Sequence, residues 1–214
     1  MKSLVLYLII IMFGIISAFS IQYLFIEDYL YYQTFGEQIT SDQITKMLQI
    51  SKKYYWLGYV FVPIIILIRV ISTSIFLYIG VFFTNLKIEF SKLFKVALLA
   101  DFIFVLSGLA KLIILIFFKE VSTLEDLQFT PLSVMEFLDY GKVDPLFIYP
   151  LSLLNVFELL YFLVLAWLLV SAINEANQER SVNFGKSLKL VTASYGSGLL
   201  LWVVFVMFIS LNLT

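Results

Sequence analysis

The sequence predicts an all-α fold, a polytopic membrane helical bundle with five transmembrane helices and short amphipathic helices on its outer face. Three observations carry this. Of 214 residues, 62% are hydrophobic and only 14% charged, whereas a soluble domain is about half apolar and about a quarter charged. Five segments reach the roughly 20 apolar residues that a bilayer crossing needs, at about 4–26, 54–83, 92–118, 146–173 and 185–211, and no large soluble domain remains between them. Cysteine and histidine are absent, which removes disulfides, thiolate and imidazole metal sites, cysteine nucleophiles and histidine acid–base chemistry. The net charge of −1 and the lack of a Gly-rich phosphate loop give no case for nucleic acid or nucleotide. No metal and no cofactor is expected.

The first segment follows Lys2 and carries Ser17, Ala18 and Ser20, small residues of the kind found at a signal-peptide cleavage site. Its apolar run continues through "IQYLFI", longer than the 7–15-residue core of a signal peptide, so a retained signal anchor is expected. The outer loop 27–53 contains "TSDQITKMLQISKK", where Ser41 suits an N-cap and Ile44, Met47, Leu48 and Ile50 gather on one side at helical spacing. The outer loop 119–145 contains "FTPLSVMEFLDYGK", where Thr130 suits a cap, Pro131 the first helical position and Gly141 the stop. Both stretches read as amphipathic pieces lying on the membrane or on each other; the alternative is that they simply cover the bundle. Residues 1–53 thus form an N-terminal transmembrane helix with its outer loop, and 54–214 a four-helix transmembrane region of two related hairpins.

Five crossings place the N-terminus on the same side as the loops 84–95 and 174–189. That side holds seven basic residues, Lys2, Lys87, Lys92, Lys95, Arg180, Lys186 and Lys189, against five lysines and ten acids in the other two loops. The excess of Lys and Arg in short loops puts the N-terminus in the cytoplasm and the C-terminus in the periplasm.

The relation between the hairpins is read from a repeat. "FSKLFKVA" at 90–97 and "FGKSLKLV" at 184–191 share Phe, small, Lys, any, apolar, Lys, apolar, apolar, and each opens a segment after an inner loop. Lys92 with Lys95 and Lys186 with Lys189 share one helix face, while Phe90 with Phe94 and Phe184 with Leu188 share another. Such tips suit anionic lipid or a cytoplasmic partner; lysines at any positive-side helix start look the same.

Four ionisable residues fall inside the segments: Arg69, Asp101, Lys111 and Glu158. A charge near the bilayer centre costs a few kcal/mol or more, so partners or a wet cavity are expected. Arg69 and Glu158 lie midway along segments two and four, so Arg69 pairs with Glu158 or reaches Asp101, and Lys111 snorkels outward. The cluster serves proton or substrate movement, or it pins helix register. Gly14 with Ala18, Ser194 with Gly198, and Ser107 with Gly108 suit close helix packing. Pro63 and Pro150 fall near outer segment ends, where a helix can start or bend.

"LYIGVFFTNLKIEFSKLFKVALLADF", 77–102, and "YPLSLLNVFELLYFLVLAWLLVSAINEANQERSVNFGKSLKLV", 149–191, resemble the two halves of the domain of Yip1-like membrane proteins. The eukaryotic members carry a sizeable hydrophilic N-terminal region and work with Rab GTPases; one lysine before the first segment departs from that pattern, so that role is not carried over. The chain looks more like short bacterial members of Bacteroidota type, with "PLSVMEF" and "PLSLLNVFE" carrying the likeness. The resemblance implies a non-enzymatic inner-membrane accessory or scaffold subunit whose partners are lipid and other integral membrane proteins. Some such relatives are labelled transporter permeases, and that is the alternative. An ABC-permease coupling helix is poorly matched, since "NEANQERSVNFG" has Glu175 and Ala176 but Asn177 in place of a second Ala, and Gly185 too far on. The motifs of intramembrane enzymes are missing.

Overall fold

The computed structural model describes residues 3–139, 142–176 and 181–213. Lys2, Gly141, Asn177, Glu179 and Arg180 lie outside these. Among the described residues the regular structure is helical. Five stretches are long and apolar enough to cross a membrane: Ser3–Phe25, Ser41–Phe83, Phe90–Phe117, Val156–Ala176 and Phe184–Asn212.

Helix α1 (Ser3–Phe25) is apolar on every side, as a lipid-bathed span is. It packs on the third helix and on span three. Gly14 permits the approach, because a Cβ there would stand 2.9 Å from Val62 Cγ1. A short α2 (Asp28–Phe35) then leads into α3 (Ser41–Phe83), a continuous helix of 43 residues. At 1.5 Å per residue α3 is about 64 Å long, twice the roughly 30 Å of bilayer hydrocarbon.

The stretch at 41–53 is therefore no separate surface helix. It is the projecting start of span two, and α2 packs along it through a Tyr31–Ser51 hydroxyl contact of 2.8 Å and a Lys52–Asp28 ion pair of 2.6 Å. Ile44 and Leu48 are buried, whereas Met47 and Ile50 stay exposed. The cap is Thr40 rather than Ser41, because Gln43 in the third helical position accepts from the Thr40 backbone N–H at 3.0 Å. Pro63 lies inside α3 instead of at a start, and its carbonyl accepts from the Tyr7 hydroxyl at 2.7 Å.

Span three consists of α4 (Phe90–Ala100) and α5 (Phe102–Phe117), with Asp101 at the junction. The loop that follows closes over the bundle end: Leu127 and Phe129 bury with Leu30 and Leu115, and the Asp126 carboxylate accepts from the Ser122 and Thr123 backbone N–H groups. The helix expected from Thr130 and Pro131 does not form. Only a short 3₁₀ turn, Val134–Phe137, follows a left-handed Leu132 at φ 54°. The backbone there is engaged elsewhere, since Val134 N–H donates to the Leu154 carbonyl at 2.9 Å and Val156 N–H to that of Leu132 at 3.2 Å.

That pairing coincides with a break in the fourth segment, which is α6 (Pro145–Leu153) plus the crossing helix α7 (Val156–Ala176). Pro150 falls inside α6. Asn155 organises the break: its Oδ1 accepts from Glu158 N–H at 2.8 Å, and its Nδ2 donates to the carbonyls of Ser152 and Leu153 at 3.1 and 3.0 Å. Span five is α8 (Phe184–Val191), a π-helical turn at Thr192–Gly196, and α9 (Ser197–Leu213).

The principal core joins α3, α4, α7, α8 and the π turn through Leu77, Leu93, Tyr161, Leu165, Val191 and Tyr195. Burial repeats along the two lysine-bearing helix starts at a constant offset: Leu93, Val96, Ala97, Ala100 and Asp101 are buried, and so are Ser187, Leu190, Val191, Ser194 and Tyr195.

Asn155→Ala removes a buried cap and three hydrogen bonds, and we expect it to cost about 2 kcal/mol. Asn183→Ala removes the exposed cap of α8, a bond to Lys186 N–H, and is expected to cost about half that. Thermal unfolding in one mild detergent ranks the two; equal midpoints would contradict the role given to Asn155.

Candidate functional site

Six polar groups inside the bundle form one cluster. α3 supplies Arg69 and Thr73, the junction of α4 and α5 supplies Asp101, α7 supplies Glu158 and Tyr161, and the π turn supplies Tyr195. Arg69 meets Asp101 in a two-pronged contact, Nε to Oδ1 at 2.6 Å and Nη2 to Oδ2 at 2.8 Å. This fork geometry is the strongest arrangement available to a guanidinium and a carboxylate. Asp101 is fully buried and the Arg69 side chain is 33% exposed. The guanidinium carbon also lies 4.1 Å from the Phe104 ring centroid, a cation–π contact that is stronger away from water.

Of the two expected partners for Arg69, the structure selects Asp101. Glu158 instead accepts from the Tyr195 hydroxyl at 2.7 Å. The reason is the break at Asn155, which puts Glu158 in the first turn of α7 rather than midway along a span. There the N-terminal helix dipole favours a carboxylate without a cation. Tyr161 fills the space between the two acids. Its hydroxyl donates to Thr73 Oγ1 at 3.1 Å, its ring meets Tyr195 at 5.3 Å and Phe104 at 4.8 Å, and Phe162 meets Tyr195 at 5.0 Å. Edge contacts of this kind add to burial.

Lys111 stands apart from this cluster. Its Nζ lies 5.2 Å from the Phe129 ring centroid, which Lys119 also approaches at 4.4 Å, so Lys111 reaches toward the loop-bearing end. The lysine-bearing helix starts are at the opposite end: Lys92 is half-buried and Lys95, Lys186 and Lys189 are exposed. Phe90 packs edge-on against Tyr78 at 6.1 Å. Phe94 and Leu188 lean on the core while Phe184 is exposed.

Several of the small residues mark close approaches. A Cβ on Gly198 would meet the Phe76 ring at 2.5 Å, and one on Gly108 would lie 3.5 Å from Ser17 Oγ. Ser194 sits against Gly80, whose Cβ would come within 2.6 Å of it. Ala18 and Ser107 are half-buried. Gly80, Thr73, Tyr161 and Tyr195 were not singled out by sequence reasoning. The signals for them were the i, i+3 spacing of Glu158 and Tyr161 on one helix face, and the position of Tyr195, which corresponds to Asp101 in the repeated pattern.

Two of the clefts on the bundle bear on these groups. One of about 260 Å³ lies among α1, α3 and α5, lined by Gly14, Ser17, Val62, Arg69, Phe104 and Gly108 among others. The other, about 610 Å³, lies at the lysine-bearing end. They share no lining residue, and neither is lined by Asp101 or Glu158. Among the described residues no group of three or more acids could hold a metal ion. No family model, curated protein or solved structure matches this chain.

Arg69→Leu leaves Asp101 as a buried carboxylate without its cation, and a cost of about 3–5 kcal/mol is expected. Lys111→Leu is expected to cost under about 1 kcal/mol, since a snorkelling lysine loses little. The double variant Arg69→Leu/Asp101→Leu should recover most of the loss from the single one. Accumulated protein and unfolding midpoints in detergent read all three; a double variant no better than Arg69→Leu would refute the pairing.

Proposed function

We propose that the chain is a non-enzymatic accessory or scaffold subunit of a bacterial inner membrane, of the kind its likeness to short Yip1-like proteins implies. It binds other integral membrane proteins and lipid, with its lysine-bearing end in the cytoplasm and the end carrying α2 in the periplasm. One observation carries the reading: both buried carboxylates have their partners inside the bundle. Asp101 is fully buried on Arg69, Glu158 is held by Tyr195, and of these groups only Arg69 lines either of the two clefts described. A transport path needs polar groups that face a wet lining and exchange partners. Packed rings of Phe104, Tyr161, Phe162 and Tyr195 occupy that space instead.

A second reading, a permease subunit, is favoured by a different observation. Helix regularity fails at corresponding places in spans three and five, at Asp101 and at the π turn Thr192–Gly196, and both failures touch the buried cluster. Interrupted helices in corresponding positions of two halves mark substrate sites in many transporters.

The two readings separate by experiment. Extraction in mild detergent at native expression should recover the chain in an assembly with a second membrane protein, at fixed ratio and larger than its own 24.7 kDa. Purified chain in liposomes should carry no proton or solute flux beyond that of empty vesicles. A lone chain that drives uptake, with the uptake abolished by Glu158→Gln, would establish the permease reading in its place.

A further inference from the structure

The larger cleft has a charge pattern of its own. It is formed by the last turns of α3, the connection 84–89, the start of α4 and the end of α7. Its volume of about 610 Å³ is within the roughly 300–1,000 Å³ usual for small-molecule sites. Among the described residues two cations and two anions line it: Lys87 and Glu89 from the connection, Lys92 from α4 and Glu175 from α7. Among the described residues neither Lys92 nor Glu175 forms an ion pair. Tyr78 and Phe82 of α3 add aromatic surface, at the level where such rings mark a membrane–water boundary.

A net-neutral wall with separated charges discriminates. A phosphate alone would have two carboxylates beside it, and an ammonium alone two lysines. A group carrying both signs a few bonds apart satisfies both walls. The carboxylates add a further choice, since they accept hydrogen bonds from a primary ammonium, which has three N–H donors, whereas a quaternary ammonium has none. A quaternary group would rely on aromatic faces alone, without the charged hydrogen bond that a carboxylate offers a primary ammonium.

We infer that this cleft is a binding site for the headgroup of a zwitterionic phospholipid bearing a primary amine, its phosphate on Lys92 and its ammonium on Glu175. The inference deepens the accessory reading, giving the bound lipid a chemical class. It rests on that reading only in placing the connection 84–89 at a bilayer surface. A failure of lipid selectivity leaves the partner assembly untouched, and loss of the partner assembly leaves the lipid site standing.

The test uses short-chain dihexanoyl lipids titrated into the full chain in mild detergent, with binding read by native mass spectrometry and by the shift in unfolding midpoint. The phosphoethanolamine lipid should bind more tightly than the phosphocholine and phosphoglycerol lipids. Lys92→Gln should weaken it about tenfold and Glu175→Gln by a similar factor, the loss of one charged hydrogen bond each. Glu175→Lys should reverse the order, so that the anionic phosphoglycerol lipid binds best. Unfolding midpoints without lipid report whether each variant is folded, and Lys95→Gln, outside the cleft, should leave binding unchanged. Equal affinity for the three lipids, a preference of the unaltered chain for the anionic or the choline lipid, or insensitivity to both Lys92→Gln and Glu175→Gln would each overturn the inference.

Discussion

A guanidinium halfway along a bilayer-crossing helix has to be neutralised inside the protein, and this constraint organises the bundle. On α3 the rings of Trp56 and Phe82 lie thirteen residues to either side of Arg69, about 20 Å along the axis in each direction. The two rings are then about 39 Å apart, close to the 40–45 Å of a bilayer with its headgroups. No side chain bridges 20 Å to water, so Arg69 cannot snorkel as Lys111 does. It needs a counter-charge at its own depth, and Asp101 from the neighbouring span provides one with matched fork geometry. The pair does more to fix which faces of α3 and span three meet than to add stability, because desolvating two ions offsets most of their attraction. Hydrophobic packing alone discriminates poorly between registers here, since lipid is as apolar as the core.

The irregular backbone follows from the same need. Asp101 stands where α4 ends, and the chain tightens there, with Phe104 N–H bonding the Asp101 carbonyl three residues back at 3.0 Å. The π turn at Thr192–Gly196 is the counterpart on span five. It widens the helix where Tyr195 reaches Glu158 and where Ser194 lies on Gly80. In both hairpins a residue eleven positions after the opening Phe thus crosses to an ionisable residue on the preceding helix, Asp101 to Arg69 and Tyr195 to Glu158. The buried side chains of spans three and five keep one register over these first turns except at Leu98, whose counterpart Thr192 is exposed. Loss of hydrogen-bond regularity is tolerable at membrane depth only where protein covers the freed groups, and both irregular stretches carry buried residues, Asp101 in one and Ser194 and Tyr195 in the other.

The five spans were legible because each exceeds a length threshold in apolar residues, and length in a bilayer leaves little choice of structure. Pairing was half legible. Depth along the chain admitted both Asp101 and Glu158 as partners of Arg69, and what decided between them was the break at Asn155. That break depends on a backbone bridge to Leu132 and Val134, over twenty residues away, which no local pattern encodes. The same bridge explains why "TPLSVMEF" reads as a helix start yet forms a 3₁₀ turn: Pro131 and Thr130 satisfy the local rule, but the backbone of Leu132 and Val134 is taken by another segment. The 41–53 stretch misled differently. Its amphipathic spacing was real, but nothing between it and span two breaks a helix, and a continuous α3 follows from that absence. Tyr161 and Tyr195 escaped notice because tyrosine in an apolar helix is ordinary; their role needs the other helices in place.

The projecting start of α3 is what distinguishes the two ends of the molecule. The fifteen residues of α3 that precede Trp56 extend about 22 Å along its axis, far more than a connection requires. α2 braces this extension with a salt bridge and tyrosine hydroxyls, while Tyr29, Tyr32 and Tyr54 remain exposed on it. Inside the bilayer an exposed apolar face carries no association free energy of its own, because lipid wets it as well as a partner would. In water, by contrast, burying aromatic surface does drive contact. The tyrosine-rich extension at one end and the charged cleft at the other are thus joined through the buried cluster between them.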